Sequence, residues 1–214
     1  DSSFVAGSTN EASGDYSTAI GENTTAIGES STAMGGNTTA SRSYSTAMGD
    51  NTTASGSRST AMGKGAIAIG GSSTAMGRFT EASGYISTAM GGNTTASGTY
   101  STAMGSFTHA SGYSSTAMGV ASTASGPRST AMGRDTTASA ESSTAMGRQT
   151  ISRAYAGTAQ GAHNEDYIGS GNEADFISQV ATQDRIFSVG VGDNPNAVAG
   201  DGDYFDGTGK ADAF

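Results

Sequence analysis

Small, polar and apolar positions alternate along this chain with a period that neither a helix nor a linker would keep. From Ala12 to Ala145 every seventh residue is alanine, 20 positions without a break. Two residues after each alanine stands glycine, with Arg42 and Ala140 as the exceptions. Two residues before it, from Ser17 on, stands serine or threonine, with Ala66 as the exception. The unit reads [ST]-x-A-x-G-x-x. It is too short and too glycine-rich for a helical repeat, because glycine costs roughly 1 kcal/mol against alanine inside a helix. In an extended strand the faces alternate, so Ser17, Ala19 and Gly21 share one face while Thr18 and Ile20 share the other. The constant face is small throughout, which suits a narrow roll whose two walls stand close together. Its hydroxyls are expected to bond one another or the backbone, since an unpaired buried polar group is costly.

The variable face doubles the period from seven to fourteen. Met34, Met48, Met62, Met76, Met90, Met104, Met118, Met132 and Met146 are all the methionines of the chain, spaced 14 residues apart, and Ile20 extends the series backwards. The alternate strands carry Ser13, Ser41, Ser55, Ser83, Ser97, Ser111, Ser125 and Ser139 instead, with Ile27 and Ile69 as exceptions. One coil is therefore two strands, one outwardly apolar and one outwardly polar. Coils stacked at ~4.8 Å would make a rod roughly 50 Å long. The methionines have the opposite parity to the alanines and cannot form the roll's own core. Left in water they would make a continuous apolar stripe of the kind that marks an interaction surface. Burial against further copies of the chain is expected, with Ile20 and the nine methionines as the interface, and three-fold closure would bring three stripes onto one axis.

Composition sharpens the picture. The chain of 214 residues has 33 Gly, no Trp, no Cys and two Pro, too few large apolar side chains for a conventional core. High Gly and Ser would suit a linker, but the strict period converts the reading to a solenoid. The lack of cysteine removes disulfide frameworks and thiolate metal sites. No basic, apolar start resembles a signal peptide, and no run of ~18 apolar residues could span a membrane. Direct membrane insertion of this segment is therefore not expected. Net charge is −9, set by 7 Lys/Arg against 9 Asp/Glu in residues 1–150 and 3 against 10 in residues 151–214. Without a basic stripe, neither nucleic acid nor an anionic lipid surface is an expected partner. The acidity serves solubility.

The units "YSTAIGENTTAIG", "GAIAIGGSSTAMG" and "YSTAMGSFTHASG" resemble the head repeats of trimeric autotransporter adhesins of the YadA type, over about residues 5–161. The resemblance implies an all-β fold, a left-handed parallel β-roll with 14 residues and two strands per coil. It also implies three rolls packed around an axis, and heads that bind collagen, other matrix proteins or host surfaces. The use of STAM where the family more often has VAI is a departure. The same repeat occurs in phage and viral tail fibres and in other secreted fibres. "DRIFSVGVGDNPN…GKADAF" (Asp184 to Phe214) resembles the segment that follows such repeats in bacterial and phage fibre proteins. The domain reading is β-roll repeats over 1–161 and a Gly/Asp-rich β cap or connector over 162–214.

No catalytic constellation is visible, and no enzyme activity is expected. His109 falls on the outer face where most repeats carry Thr, and His163 where the repeat dissolves; neither has a nucleophile or fixed carboxylate beside it. Acidic residues such as Glu22, Glu29, Asp50 and Glu141 are scattered at turns, unlike the paired carboxylates of a polysaccharide-cleaving site. No cofactor is expected. Asp193, Asp201, Asp203 and Asp206 in the glycine-rich "GDNPNAVAGDGDYFDG" form either an oxygen-rich Ca²⁺ loop or a solvated acidic loop. Asn23, Asn37, Asn51 and Asn93 each open N-T-T at the same turn position. They read as glycosylation sequons or as residues chosen for tolerating the left-handed region.

Aromatics gather at the turns: Tyr16, Tyr44, Phe79, Tyr85, Tyr100, Phe107 and Tyr113. Phe79/Phe107 and Tyr85/Tyr113 each recur after two coils, placing half-exposed rings on one edge, where they would contact a sugar or protein ligand or seal joints between protomers. Thr and Ser side by side on the polar face resemble the arrays of ice-binding solenoids, but Glu81 and His109 interrupt them. Ile67 and Ile69 add an apolar break there, a partner contact or drift. The reading as a whole is a homotrimeric extracellular fibre segment at a cell or virion surface that attaches to a host or surface protein or glycan. A phage or viral tail fibre, a self-assembling filament and an ice-binding solenoid are the alternatives.

Overall fold

A computed structural model describes residues 2–163, and these form an all-β parallel solenoid with no helix among them. Each coil contributes one strand of five residues and one of two, as in Thr88–Gly92 followed by Thr95–Ala96. The long strands stack into a 12-stranded parallel sheet and the short ones into an 11-stranded parallel sheet. Register is exact to fourteen residues: Thr88 pairs with Thr102, Ala89 with Ala103 and Met90 with Met104. Each residue is thus stacked on its own counterpart in the next coil, and the sequence repeat and the hydrogen-bond ladder are the same period.

The interior is built from very small groups. The alanine series from Ala19 to Ala145 is fully buried, joined by Ala66. Beside it run two hydroxyl columns, serines such as Ser17, Ser31 and Ser45 under one corner, and threonines such as Thr24, Thr38 and Thr52 under the other. Some hydroxyls are satisfied. Ser59 and Ser87 donate to the carbonyls of Gly56 and Gly84 at 2.7 Å, and Ser122 donates to the carbonyl of Gly133 at 3.1 Å. Thirteen others have no hydrogen-bond partner, among them Thr94 and Thr108. The expected bonding to the backbone is thus met at some positions and not at these thirteen. A Thr or Ser is the size that fills the roll, and shape is met at the expense of pairing. At the first coil, Asn10 takes the place of the threonine. Its amide donates to the carbonyls of Ala6 and Gly21 at 2.8 Å, and its Oδ1 accepts from the Thr24 amide and hydroxyl.

The corners are left-handed. One residue in seven, from Thr9 through Tyr16 and Asn23 to His163, has φ between 52° and 62°. Each such conformation in a non-glycine residue costs roughly 1–3 kcal/mol. The compensation is regular: the corner amide reaches back to the preceding coil, as in Asn37 N–H to Glu22 C=O at 2.9 Å and Tyr100 N–H to Tyr85 C=O at 2.9 Å.

The two strands of a coil differ in length because their glycines differ. In the methionine half the glycine has a positive φ, +122° at Gly91, a conformation open only to glycine, and the ladder continues past it. In the serine half the chain turns at once. Ser97 and Gly98 both donate to the carbonyl of Ala110, at 3.0 and 3.2 Å. The simple alternation that puts Ser17, Ala19 and Gly21 on one face therefore holds for Ser17 and Ala19. It fails at Gly21, which is not buried and has φ +133°.

Candidate functional site

The outer face of the long sheet carries two uniform columns of side chains. Thr18, Thr32 and their equivalents to Thr158 form one unbroken column there. Ile20 and the nine methionines form a second column beside it, from the Ile20–Met34 pair to Met132–Met146. Ala6 precedes the column and Gln160 follows it. Every methionine is outside the roll, as parity requires. Met34 and Met90 are 36% and 37% exposed, and the other methionines are half-buried by their stacked neighbours. Charge is absent from both columns and is confined to the strand ends, where Asp50 and Lys64 form an ion pair at 3.4 Å. Such exposed pairs contribute little. The result is a neutral, thioether-rich band along the long sheet.

The outer face of the short sheet is polar and irregular. Thr25, Thr39, Thr53 and Thr95 lie on it, interrupted by Ile67, Glu81 and His109 in register. Ile67 and Ile69 are exposed, as is His109. The four sequon asparagines occupy left-handed corners, with φ of 52° to 54°. Two of them already use their amide nitrogens. Asn23 Nδ2 donates to Asn37 Oδ1 at 2.8 Å and Asn51 Nδ2 to Asp50 Oδ1 at 2.9 Å.

The aromatics do not form one strip. Phe79 and Phe107 stand at corners that follow long strands, while Tyr85 and Tyr113 stand at corners that precede them. The expected single edge is therefore two edges. A repeat of 28 residues fixes alignment within each pair but not which corner a pair occupies. The structure instead joins Tyr85 and Tyr113 through Tyr100, with ring centroids 6.2 and 5.6 Å apart and interplanar angles of 74° and 87°. Offsets of 15 and 13 residues, one either side of the coil length, are the signal in the sequence for this cluster. On the other edge Phe79 lies over Gly65, where a Cβ would come within 2.6 Å of its ring, and Arg78 sits 5.1 Å from the ring centroid.

Among the described residues no group of three or more His, Asp and Glu is placed to hold a metal ion. Asp193, Asp201, Asp203 and Asp206 lie outside the described residues, as does nearly all of the 162–214 segment. No helix among the described residues is long and apolar enough to cross a membrane.

A parallel solenoid of 14-residue coils, with an uncharged Thr–Met band beside polar and aromatic edges, defines a β-solenoid repeat protein. The YadA head domain repeat (2 copies) matches residues 1–24, 12–38, 26–52, 40–66, 82–108, 110–136 and 124–150. These segments cover more than half of the chain, which belongs to the family of YadA head-domain repeats, an adhesin family. A search of curated proteins finds no match.

Proposed function

We propose that this chain is the head of a trimeric adhesin, exposed outside the cell, in which three left-handed rolls pack through their Thr–Met bands and present the other faces to a host or surface partner. It works by attachment and carries out no chemistry. The observation that carries the reading is the in-register methionine column on the outer face of the long sheet. Burying the exposed part of one such side chain is worth on the order of 1 kcal/mol. Nine in a row give a gain of the same order as the roughly 4–15 kcal/mol that association costs in lost freedom. Three-fold closure places every copy of a given methionine at the same height on the axis, which leaves no apolar stripe in water.

The double substitution Met90→Asp with Met104→Asp tests it. Six carboxylates would meet at the axis of a trimer, and the expected result in native mass measurement is monomer or unfolded chain. Ser97→Asp, on the exposed outer face of the short sheet, is expected to leave both mass and thermal midpoint unchanged. A wild-type chain that is monomeric, or a double variant that keeps its trimeric mass and midpoint, refutes the assembly. Attachment is read separately, as retention of beads carrying the wild-type chain on surfaces coated with matrix protein or glycan.

A further inference from the structure

All six tyrosines in the described part of the chain stand on one edge, at the two corner positions that precede each long strand: Tyr16, Tyr44, Tyr85, Tyr100, Tyr113 and Tyr155. Three of them touch. We propose that Tyr85, Tyr100 and Tyr113 form a binding platform for a neutral oligosaccharide. The proposal deepens the adhesive function by naming a partner class, and it rests on that reading for its biological meaning.

Tyr85 lies on Gly71 of the preceding coil: a Cβ at Gly71 would stand 3.2 Å from its Cδ2, so the bare glycine gives the ring its seat. Tyr100 stands edge-on to both neighbours, so each ring fixes the tilt of the next. Even so they remain 52%, 46% and 54% exposed. Rigid, half-open tyrosines lose little side-chain freedom when a ligand settles on them, and they offer an apolar face with a hydroxyl at its rim.

Chemistry and size select the occupant. No charged residue occupies this edge between Arg58 and Arg128. Its other corner residues there include Thr99 and Ser114, which add hydroxyls beside the rings. An anionic or cationic ligand would find no counter-charge. Half the surface of three tyrosines is on the order of 300 Å², well below the ~800 Å² that each partner contributes to a standard protein interface. Three rings spread over three coils at ~4.8 Å per coil span about 10 Å, the scale of two sugar units. Apolar C–H faces of hexoses on the rings, with ring hydroxyls meeting phenols and Thr99, fit both the size and the neutrality.

The test uses the full chain and a panel of neutral gluco-, galacto- and manno-configured tetrasaccharides, with sialylated and sulfated oligosaccharides alongside. Binding is followed by tyrosine emission, which no tryptophan masks, and by saturation-transfer NMR. At least one neutral member is expected to bind saturably. Tyr100→Ala should weaken it tenfold or more, and Tyr44→Ala, at an isolated ring on the same edge, less than twofold. Native mass and thermal midpoint should not change. Should Tyr100→Ala disturb its coil, Tyr85→Ala and Tyr113→Ala each remove an end ring and are expected to show the same loss. No saturable neutral ligand, equal binding by the variants, or binding confined to the acidic sugars overturns the proposal. So does a fall in native mass, which would make the cluster a seal between protomers, or loss of a protein ligand with no sugar bound. A panel without a binder in a chain of intact trimeric mass removes the sugar site alone. A monomeric wild type removes the assembly and leaves the titration to be judged on its own.

Discussion

Gly91 and Gly92 are adjacent in sequence and opposite in constraint. Gly91 has φ +122°, and a Cβ built on it would lie 2.0 Å from the carbonyl oxygen of Gly105 in the next coil. Gly92 has no positive φ, and a Cβ there meets nothing within 4 Å. Ordinary contact needs about 3.4 Å, so alanine at 91 forces neighbouring coils apart by more than 1 Å. Bonds such as Thr88 N–H to Ser101 C=O, now 2.9 Å, would open beyond useful range. Two lost ladder bonds at ~1 kcal/mol each and a strained backbone at ~1–3 kcal/mol give a cost of about 3–5 kcal/mol. Gly92→Ala should be neutral or stabilise by a few tenths, through lower entropy of the unfolded chain. Urea denaturation followed by far-ultraviolet circular dichroism at fixed protein concentration measures both. Hydrogen exchange should show faster opening in the coils around 91 and 105 for the first variant only. If Gly91→Ala unfolds within 0.5 kcal/mol of Gly92→Ala, the claim that glycine is required by stacking is wrong.

Two further substitutions probe the corners and the interior. Ile86 is a β-branched residue at φ 52°, so Ile86→Asn should stabilise by about 1 kcal/mol, read as a rise in thermal midpoint of about 2–4 °C; a fall would mean that the side chain's packing outweighs the strain. Thr94 has a buried hydroxyl with no partner, whereas the Thr24 hydroxyl donates to Asn10 at 2.8 Å. Thr94→Val is therefore expected to be neutral or stabilising by up to ~1 kcal/mol, and Thr24→Val to cost about that much; the reverse order in chemical denaturation would overturn this account of the core.

The interior also bears on why the molecule is a rod rather than a globule. Alanine, serine and threonine bury little apolar area per residue, so a coil gains its stability chiefly from bonding to the coils above and below. Asn10, with four hydrogen bonds, ties its own coil to the next one at Gly21 and Thr24.

Much of the architecture was legible in one dimension. A seven-residue period of Ala between Ser/Thr and Gly determined the strand, the coil length and the small core, because strand parity and ladder register depend only on spacing. The same parity determined that Met34 to Met146 stand outside the roll, and the asparagines of N-T-T marked left-handed corners in advance. Other features were decided by the folded chain. Gly91 and Gly98 occupy the same place in the repeat, yet one prolongs a strand and the other ends it. The difference lies in the backbone conformation, φ +122° at Gly91 and no positive φ at Gly98. Phe79 and Tyr85 are six residues apart and fall on opposite edges, while Tyr85, Tyr100 and Tyr113 converge. Contact across coils depends on offsets of one residue either side of fourteen and on the corner at which the chain turns. The unpaired Thr94 hydroxyl belongs to the same class, since satisfaction is settled by direction in three dimensions and a period carries no direction.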